Sequence, residues 1–255
     1  MYGAIYGDLV GSIYEYSQTK KINSINPERL LQDDSFYSDD TILTIAVLDA
    51  ILNDKDYDKY LRKYIDEYKN YKPNFTPYFK TSFSPKLIKW SSSNKMGNSI
   101  GNGAMMRISP VGFMFDNEID VIENARLATV PSHNSIEAIT CSTIIALMIY
   151  YLKQGYTKDE VYTKLNIDIK YKMFTKFNTT CEDTINNCLY SFYFSNSFEE
   201  SIRNTLLMGG DTDTNCAIVG SLAEACYGID NSIIDEVNKK IPDSFVKILE
   251  LSKRY

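Results

Sequence analysis

Gly209-Gly210-Asp211-Thr212-Asp213-Thr214-Asn215 runs directly into Cys216-Ala217-Ile218-Val219-Gly220-Ser221-Leu222-Ala223-Glu224-Ala225-Cys226, and the reading of that stretch decides the fold. The glycine pair permits a sharp turn with positive φ and close approach to a neighbouring group. The residues after Asn215 are mostly small or apolar, and Gly228 supplies a C-terminal stop. A helix of this composition belongs in a core, with other helices close against its Gly/Ala face. Its first turn then carries Asp211, Asp213 and Thr214 inward, where carboxylates are costly unless paired or bound to metal. Asp and Thr are also ordinary N-cap residues, so a cap is the competing reading. A cap needs one oxygen, and here three follow a glycine pair.

The design recurs at Ser38-Asp39-Asp40-Thr41, which leads into an apolar run from Ile42 to Leu52. That run is apolar nearly all round, which places it centrally. Two such acidic tips in one chain suggest a common destination. Nowhere is there a period-2 strand series bounded by hairpin turns. The expected class is therefore all-α, a compact orthogonal helical bundle forming one domain over residues 1–255.

The chain is long enough for one large core. Hydrophobic residues at 44% and charged residues at 24% are ordinary for a soluble globular protein. A net charge of -6 argues against a nucleic-acid backbone binder and leaves a small anionic ligand open. Five cysteines form no C-x-x-C pair, which favours free thiols in a reducing compartment, with the cytoplasm as the default. The N-terminal residues lack the basic region of a signal peptide, and no run approaches about 18 uncharged apolar residues. No membrane partner is expected, and a monomer is the expected state.

Taken in order, Ala4 to Tyr16 reads as a helix with Gly7 and Gly11 forming a close-packing stripe. Asp8, Ser12 and Glu15 share one of its faces, turned either to solvent or to a cleft. Lys55 to Tyr71 reads as an amphipathic surface helix. Residues 72–98, with Pro73, Pro77, Pro85 and the sole tryptophan, Trp90, read as a lid or binding loop, or else a disordered insertion. Gly101-Asn102-Gly103-Ala104-Met105-Met106-Arg107 is a glycine-rich turn entering a helix, offering backbone N–H groups to an anion such as a diphosphate. It matches neither a Walker A nor a dinucleotide pattern. Arg107 either adds a charge there or pairs with an acid. Glu118 to Val130 reads as a helix, and Asn134 with Glu137 as a capping box for a helix through Leu152, just after the only histidine, His133. Thr157/Glu160 and Ser197/Glu200 repeat the box, the latter helix ending at Gly209. Ser232 and Pro242 start the last two helices.

Asp39, Asp40, Asp211 and Asp213, if they converge, cannot all stay ionised without cations. With the hydroxyls of Ser38 and Thr214 they form an oxygen-only donor set, suited to Mg²⁺ or Mn²⁺, or to Ca²⁺, rather than zinc. Two sets of three donors imply two metals with open positions for water or a sugar diol, and Glu15 is placed to handle protons.

Gly7-Asp8-Leu9-Val10-Gly11-Ser12-Ile13-Tyr14-Glu15, the two acidic motifs, Gly101 to Arg107 and His133 occur in the order found in the ADP-ribosylglycohydrolase family, which the chain resembles from residue 3 to about 230. The resemblance implies an all-α fold of that type with two divalent cations, Mg²⁺ or Mn²⁺, in a cleft. It implies hydrolysis at C1″ of ADP-ribose, releasing it from a modified protein side chain, most commonly arginine. ADP-ribosyl-serine, O-acetyl-ADP-ribose or another small conjugate is the alternative substrate. By motif match, Ser38, Asp39, Asp40, Asp211, Asp213 and Thr214 would hold metal, and Glu15 would sit at the reacting centre, acting with Asp39, Asp40 and Asp213. Gly101, Asn102 and Gly103 would hold the diphosphate, with His133 on the substrate side. Residues 72–98 align with no family pattern, which leaves substrate preference open. Two other classes stay in view: a non-catalytic ADP-ribose binder or structural protein, as certain lens crystallins are, and a helical two-metal phosphohydrolase, which usually needs more histidines.

Overall fold

A computed structural model describes residues 1–15, 29–73, 82–169 and 179–254. The helices in chain order are α1 (Tyr2–Gly11), α2 (Asp39–Leu52), α3 (Tyr57–Tyr68), α4 (Pro85–Ser91), α5 (Gly103–Met106), α6 (Ser109–Met114) and α7 (Glu118–Thr129). They continue as α8 (Ile136–Lys153), α9 (Lys158–Lys164), α10 (Cys181–Tyr193), α11 (Phe198–Met208), α12 (Thr212–Tyr227), α13 (Asn231–Asn238) and α14 (Asp243–Ser252). Among the described residues the only β pairing is two isolated bridges, Asn98 with His133 and Gly101 with Thr180. The all-α expectation holds.

α1 and α12 form the centre. A Cβ on Gly7 would lie 1.9 Å from the Cys216 carbonyl oxygen, and one on Gly11 would lie 2.2 Å from that of Thr212. At the far end Gly3 and Gly220 meet in the same way. The two helices therefore touch backbone to backbone, and Thr212 Oγ1 donates to the Gly11 carbonyl at 2.9 Å. Every residue of α1 is buried. α2 packs against α1, α3, α6 and α14. α8 has the length and apolarity of a membrane-crossing helix, yet it packs against α6, α7 and α12 as a core helix does.

Several boundaries differ from expectation. α1 stops at Gly11 rather than continuing to Tyr16, which lies outside the described residues. The Ser12 side chain accepts from Phe36 N at 3.2 Å, a tertiary bond that holds the chain in a turn after the helix. Asp8, Ser12 and Glu15 are all buried, so they face inward, although from a helix and a turn rather than one helical face. Ser135, not Asn134, caps α8, accepting from Ala138 N. α13 starts at Asn231 behind Asp230, before Ser232, and Pro242 is the N-cap of α14 rather than its first residue. The turn at 101–103 enters only the four residues of α5. Residues 82–98 contain α4 and the chain leading to the glycine turn; Pro77 lies outside the described residues.

Other readings stand as expected. Thr157 and Glu160 form a reciprocal capping box. Ser197 caps α11, while the Glu200 carboxylate turns to Asn196 N instead. Gly209 and Gly210 have φ of 69° and 80°, the left-handed backbone their turn requires, and Gly228 closes α12 with φ 77°.

Candidate active site

The site begins with a carboxylate on one helix serving the N-terminus of another. Asp8 Oδ2 accepts from Ser38 N at 2.9 Å, Thr41 N at 3.1 Å and Thr41 Oγ1 at 2.5 Å. Its Oδ1 lies 2.8 Å from Ser38 Oγ. Asp8 thus satisfies backbone donors that the first turn of α2 leaves open. It was absent from the expected ligand set because its partners lie some thirty positions away in sequence. The available signal was the polar face that helical spacing predicts for Asp8, Ser12 and Glu15.

The two acidic tips meet. Asp40 Oδ2 accepts from Thr214 Oγ1 at 3.3 Å and lies 3.2 Å from Ser38 Oγ. Asp40 Oδ1 is buried with no hydrogen-bond partner among the described residues. Asp213 Oδ1 accepts from Thr214 N at 2.9 Å, and Asp211 accepts from Asn102 Nδ2 at 2.7 Å. That last bond ties the glycine turn to the start of α12.

Asp8, Asp40 and Asp213 each place a carboxylate oxygen within 4.8 Å of the other two, and Glu15, Asp211 and Asp213 do the same. Asp213 belongs to both triads. Burial, reinforced by Asp8 and Asp211, pushes the Asp39 carboxyl up to about 8. Burial likewise raises Asp40 and Asp213 well above the usual carboxylate range, with their acidic neighbours adding to it. Asp8 and Asp211 are raised by burial and partly restored by their hydrogen bonds. A cluster of this kind is poorly tolerated without positive charge. The oxygen-only donors, the two triads sharing Asp213 and the orphaned Asp40 Oδ1 fit a pair of hard divalent cations. Asp8 spends most of its lone pairs on α2 and acts mainly as a brace.

These carboxylates form one end of a cleft of about 790 Å³, a volume suited to a nucleotide-sized ligand. Glu15, Asp39, Asp40, Asp211, Asp213 and Thr214 line that end, while Ser38 sits behind them as the cap of α2. Gly101, Asn102, Gly103 and His133 line another side. Asn102 N donates to Thr179 O at 2.8 Å, and Cys181 N to Ile100 O at 2.9 Å, which fixes the glycine turn. A more open hollow of about 750 Å³, beside Asp159, Tyr162 and Tyr193, gathers no cluster of metal-ligating side chains among the described residues.

Two parts of the cleft were poorly foreshadowed by sequence. The first is Arg107, fully buried on its floor. Among the described residues it pairs with no carboxylate; its Nη2 donates to Ala128 O at 3.2 Å and Ser132 Oγ at 2.7 Å, and Nε and Nη1 are buried with no partner among those residues. Burial lowers its pKa to about 10, so it stays charged at neutral pH. The second is the wall made by Phe83, Leu87 and Trp90. Arg62 on α3 stacks 4.2 Å from the Trp90 ring and donates to the carbonyls of Trp90, Ser91, Ser93 and Lys95, clamping α4 in place. The only sequence signal for this wall was the lone tryptophan.

The chain matches the family model described as ADP-ribosylglycohydrolase over residues 1–254. It is 22% identical to the human ADP-ribosylhydrolase ARH3 over 89% of this chain and 84% of that protein. It is 23% identical to the ADP-ribosylarginine hydrolase Tri1 of Pseudomonas putida, over 52% of this chain and 40% of that protein. A solved ADP-ribosylglycohydrolase-related protein complex shares the fold with a TM-score of 0.71 at 20% identity, covering 98% of this chain and 92% of that one.

Proposed function

This chain belongs to the ADP-ribosylglycohydrolase family, whose members hydrolyse ADP-ribose conjugates, and from that premise we propose that it cleaves the bond at C1″ between ADP-ribose and a modified protein side chain, arginine first, with two divalent cations in its carboxylate cleft. The observation that carries this reading is the meeting of the tips at residues 38–40 and 211–214, joined by Thr214 and Asp40 at 3.3 Å. The ADP-ribosylarginine hydrolase among its relatives supports arginine as the first substrate to try. Five free cysteines support action in the reducing cytoplasm.

Asp40, Asp211 and Asp213 would hold the cations, with Ser38, Asp39 and Thr214 completing the oxygen set and Asp8 bracing it. When bound, Mg²⁺ or Mn²⁺ would neutralise the cluster and supply Lewis-acid positions for ribose hydroxyls and water. The remaining work belongs to the chain. Glu15, buried beside Asp211 and Asp213, takes the proton from the attacking water or returns one to the leaving nitrogen. Gly101, Asn102 and Gly103 seat the diphosphate, and Asn102 couples that seat to Asp211. Phe83, Leu87 and Trp90 shield the bound conjugate from bulk water.

The test is incubation of chelator-treated protein with ADP-ribosyl-arginine, ADP-ribosyl-serine and O-acetyl-ADP-ribose, with and without added Mg²⁺ or Mn²⁺, scoring free ADP-ribose. Release from the arginine conjugate that returns with either ion is the expected result. Release from serine or acetyl conjugates alone would replace the target while keeping the chemistry. Binding of ADP-ribose without turnover of any conjugate would make the chain a binder.

A further inference from the structure

We propose that Arg107 and Ser132 are positioning residues for His133, fixing its imidazole as the tautomer with hydrogen on Nε2 and aiming that hydrogen at an anionic oxygen of a ligand seated against Gly101 and Gly103. The proposal rests on the reading of this cleft as an ADP-ribose site. Ser132 Oγ lies 2.7 Å from Arg107 Nη2 and 2.7 Å from His133 Nδ1. A guanidinium has donors only, so Arg107 donates and the serine oxygen accepts. The hydroxyl has a single hydrogen, and among the described residues His133 Nδ1 is the one acceptor in its reach. That hydrogen therefore goes to Nδ1, which must present a lone pair. The ring's own hydrogen is left on Nε2.

Among the described residues Nε2 makes no hydrogen bond; the ring's one side-chain bond is at Nδ1. A Cβ on Gly103 would stand 3.5 Å from it and one on Gly101 3.8 Å, so the bare glycine turn keeps the space beside Nε2 open. The backbone that carries the ring is held as well. His133 N donates to Thr129 O at 3.0 Å, and Ser99 N donates to Ser132 O at 3.3 Å. Burial and the neighbouring Arg107 charge hold His133 well below the usual histidine range, so it meets the ligand as a neutral donor rather than an acid. Arg107 belongs to the lining of the same cleft, and its buried charge gives this side a positive potential. The ligand chemistry that fits is a diphosphate or other anionic oxygen, not a second cation.

The chain has one histidine, so ¹⁵N-labelled full-length protein gives a single imidazole spin system. Long-range ¹H–¹⁵N spectra at pH 7 should show a pyridine-type Nδ1 and a pyrrole-type Nε2, and saturating ADP-ribose should move the Nε2 resonance. A ring protonated on Nδ1, or an Nε2 signal unmoved by ADP-ribose whose binding calorimetry confirms, overturns the proposal. Ser132→Ala should weaken ADP-ribose binding roughly three- to tenfold, the loss expected for one hydrogen bond, and Ser132→Thr should restore it. An unchanged affinity in Ser132→Ala also overturns it. If the wild-type protein hydrolyses a conjugate but carries the other tautomer, the relay alone falls. If it neither binds ADP-ribose nor cleaves any conjugate, the cleft reading falls, and the ligand half of the relay falls with it.

Discussion

Asp213 is the residue on which both carboxylate triads turn. Replacing it with asparagine keeps its size and the acceptor for Thr214 N but removes one of several buried ionisable carboxyl groups. Asp213→Asn should lose divalent-cation binding by calorimetry and lower kcat by at least about a thousandfold, the scale of removing a group essential to a metal-assisted site. In the cation-free protein the same change should raise Tm, because it relieves repulsion among acids that burial already penalises. A variant that lost activity together with stability would point to a packing role instead. These residue-scale facts were partly legible in the sequence. Asp40, Asp211, Asp213 and Thr214 were, because each sits at a helix tip whose chemistry makes little sense as capping alone. Asp8 and Ser132 were not, because their meaning lies in partners brought near only by the fold, Ser38 for one and Arg107 for the other.

At the scale of elements, local signals read well where the physics is local. The Thr157/Glu160 box and the left-handed glycines at 209, 210 and 228 need only their own neighbours in sequence. The end of α1 is not a local matter: just past it Ser12 accepts from Phe36 N, a partner twenty-four positions away that local spacing does not reveal. The glycine stripe of α1 was seen, and its consequence is severe. Gly7→Ala would drive a methyl group to within 1.9 Å of the Cys216 carbonyl, against backbone that cannot swing aside. It should cost about 3 kcal/mol or more in denaturant unfolding, or give insoluble protein. α4 offers a milder case. Arg62→Ala removes a ring stack and donors to four carbonyls, so the wall carrying Trp90 should show faster amide exchange. Stability should fall by about 1–2 kcal/mol, with KM rising more than kcat falls.

For the whole molecule, the buried acids couple folding to pH and to metal. Their folded-state pKa values are raised, Asp39 to about 8 from an ordinary 3.8. The cation-free folded state thus binds more protons than the unfolded chain over that interval. Its stability is greatest below about pH 4 as far as these groups are concerned, and is lost as pH rises through about 8. Divalent cations bind the ionised form, so their stabilisation should grow over the same interval. At a concentration a hundredfold above Kd, one bound ion adds about 2.7 kcal/mol. For a chain of this size that corresponds to about 5–10 °C in Tm. Thermal melts from pH 5 to 8, with chelator or with Mg²⁺ or Mn²⁺, check both signs; a cation-induced gain that did not grow with pH would contradict the coupling.

Where α1 lies on α12, main chain rests directly on main chain at Gly3, Gly7 and Gly11. The gauge separating Asp8 from Asp213 is accordingly set by the radii of carbonyl and Cα atoms, which mutation of ordinary side chains leaves untouched. Outer helices can be repacked, shortened or exchanged while that ruler keeps its length. A scaffold of this sort can change what it admits at the rim without retuning the chemistry at its centre.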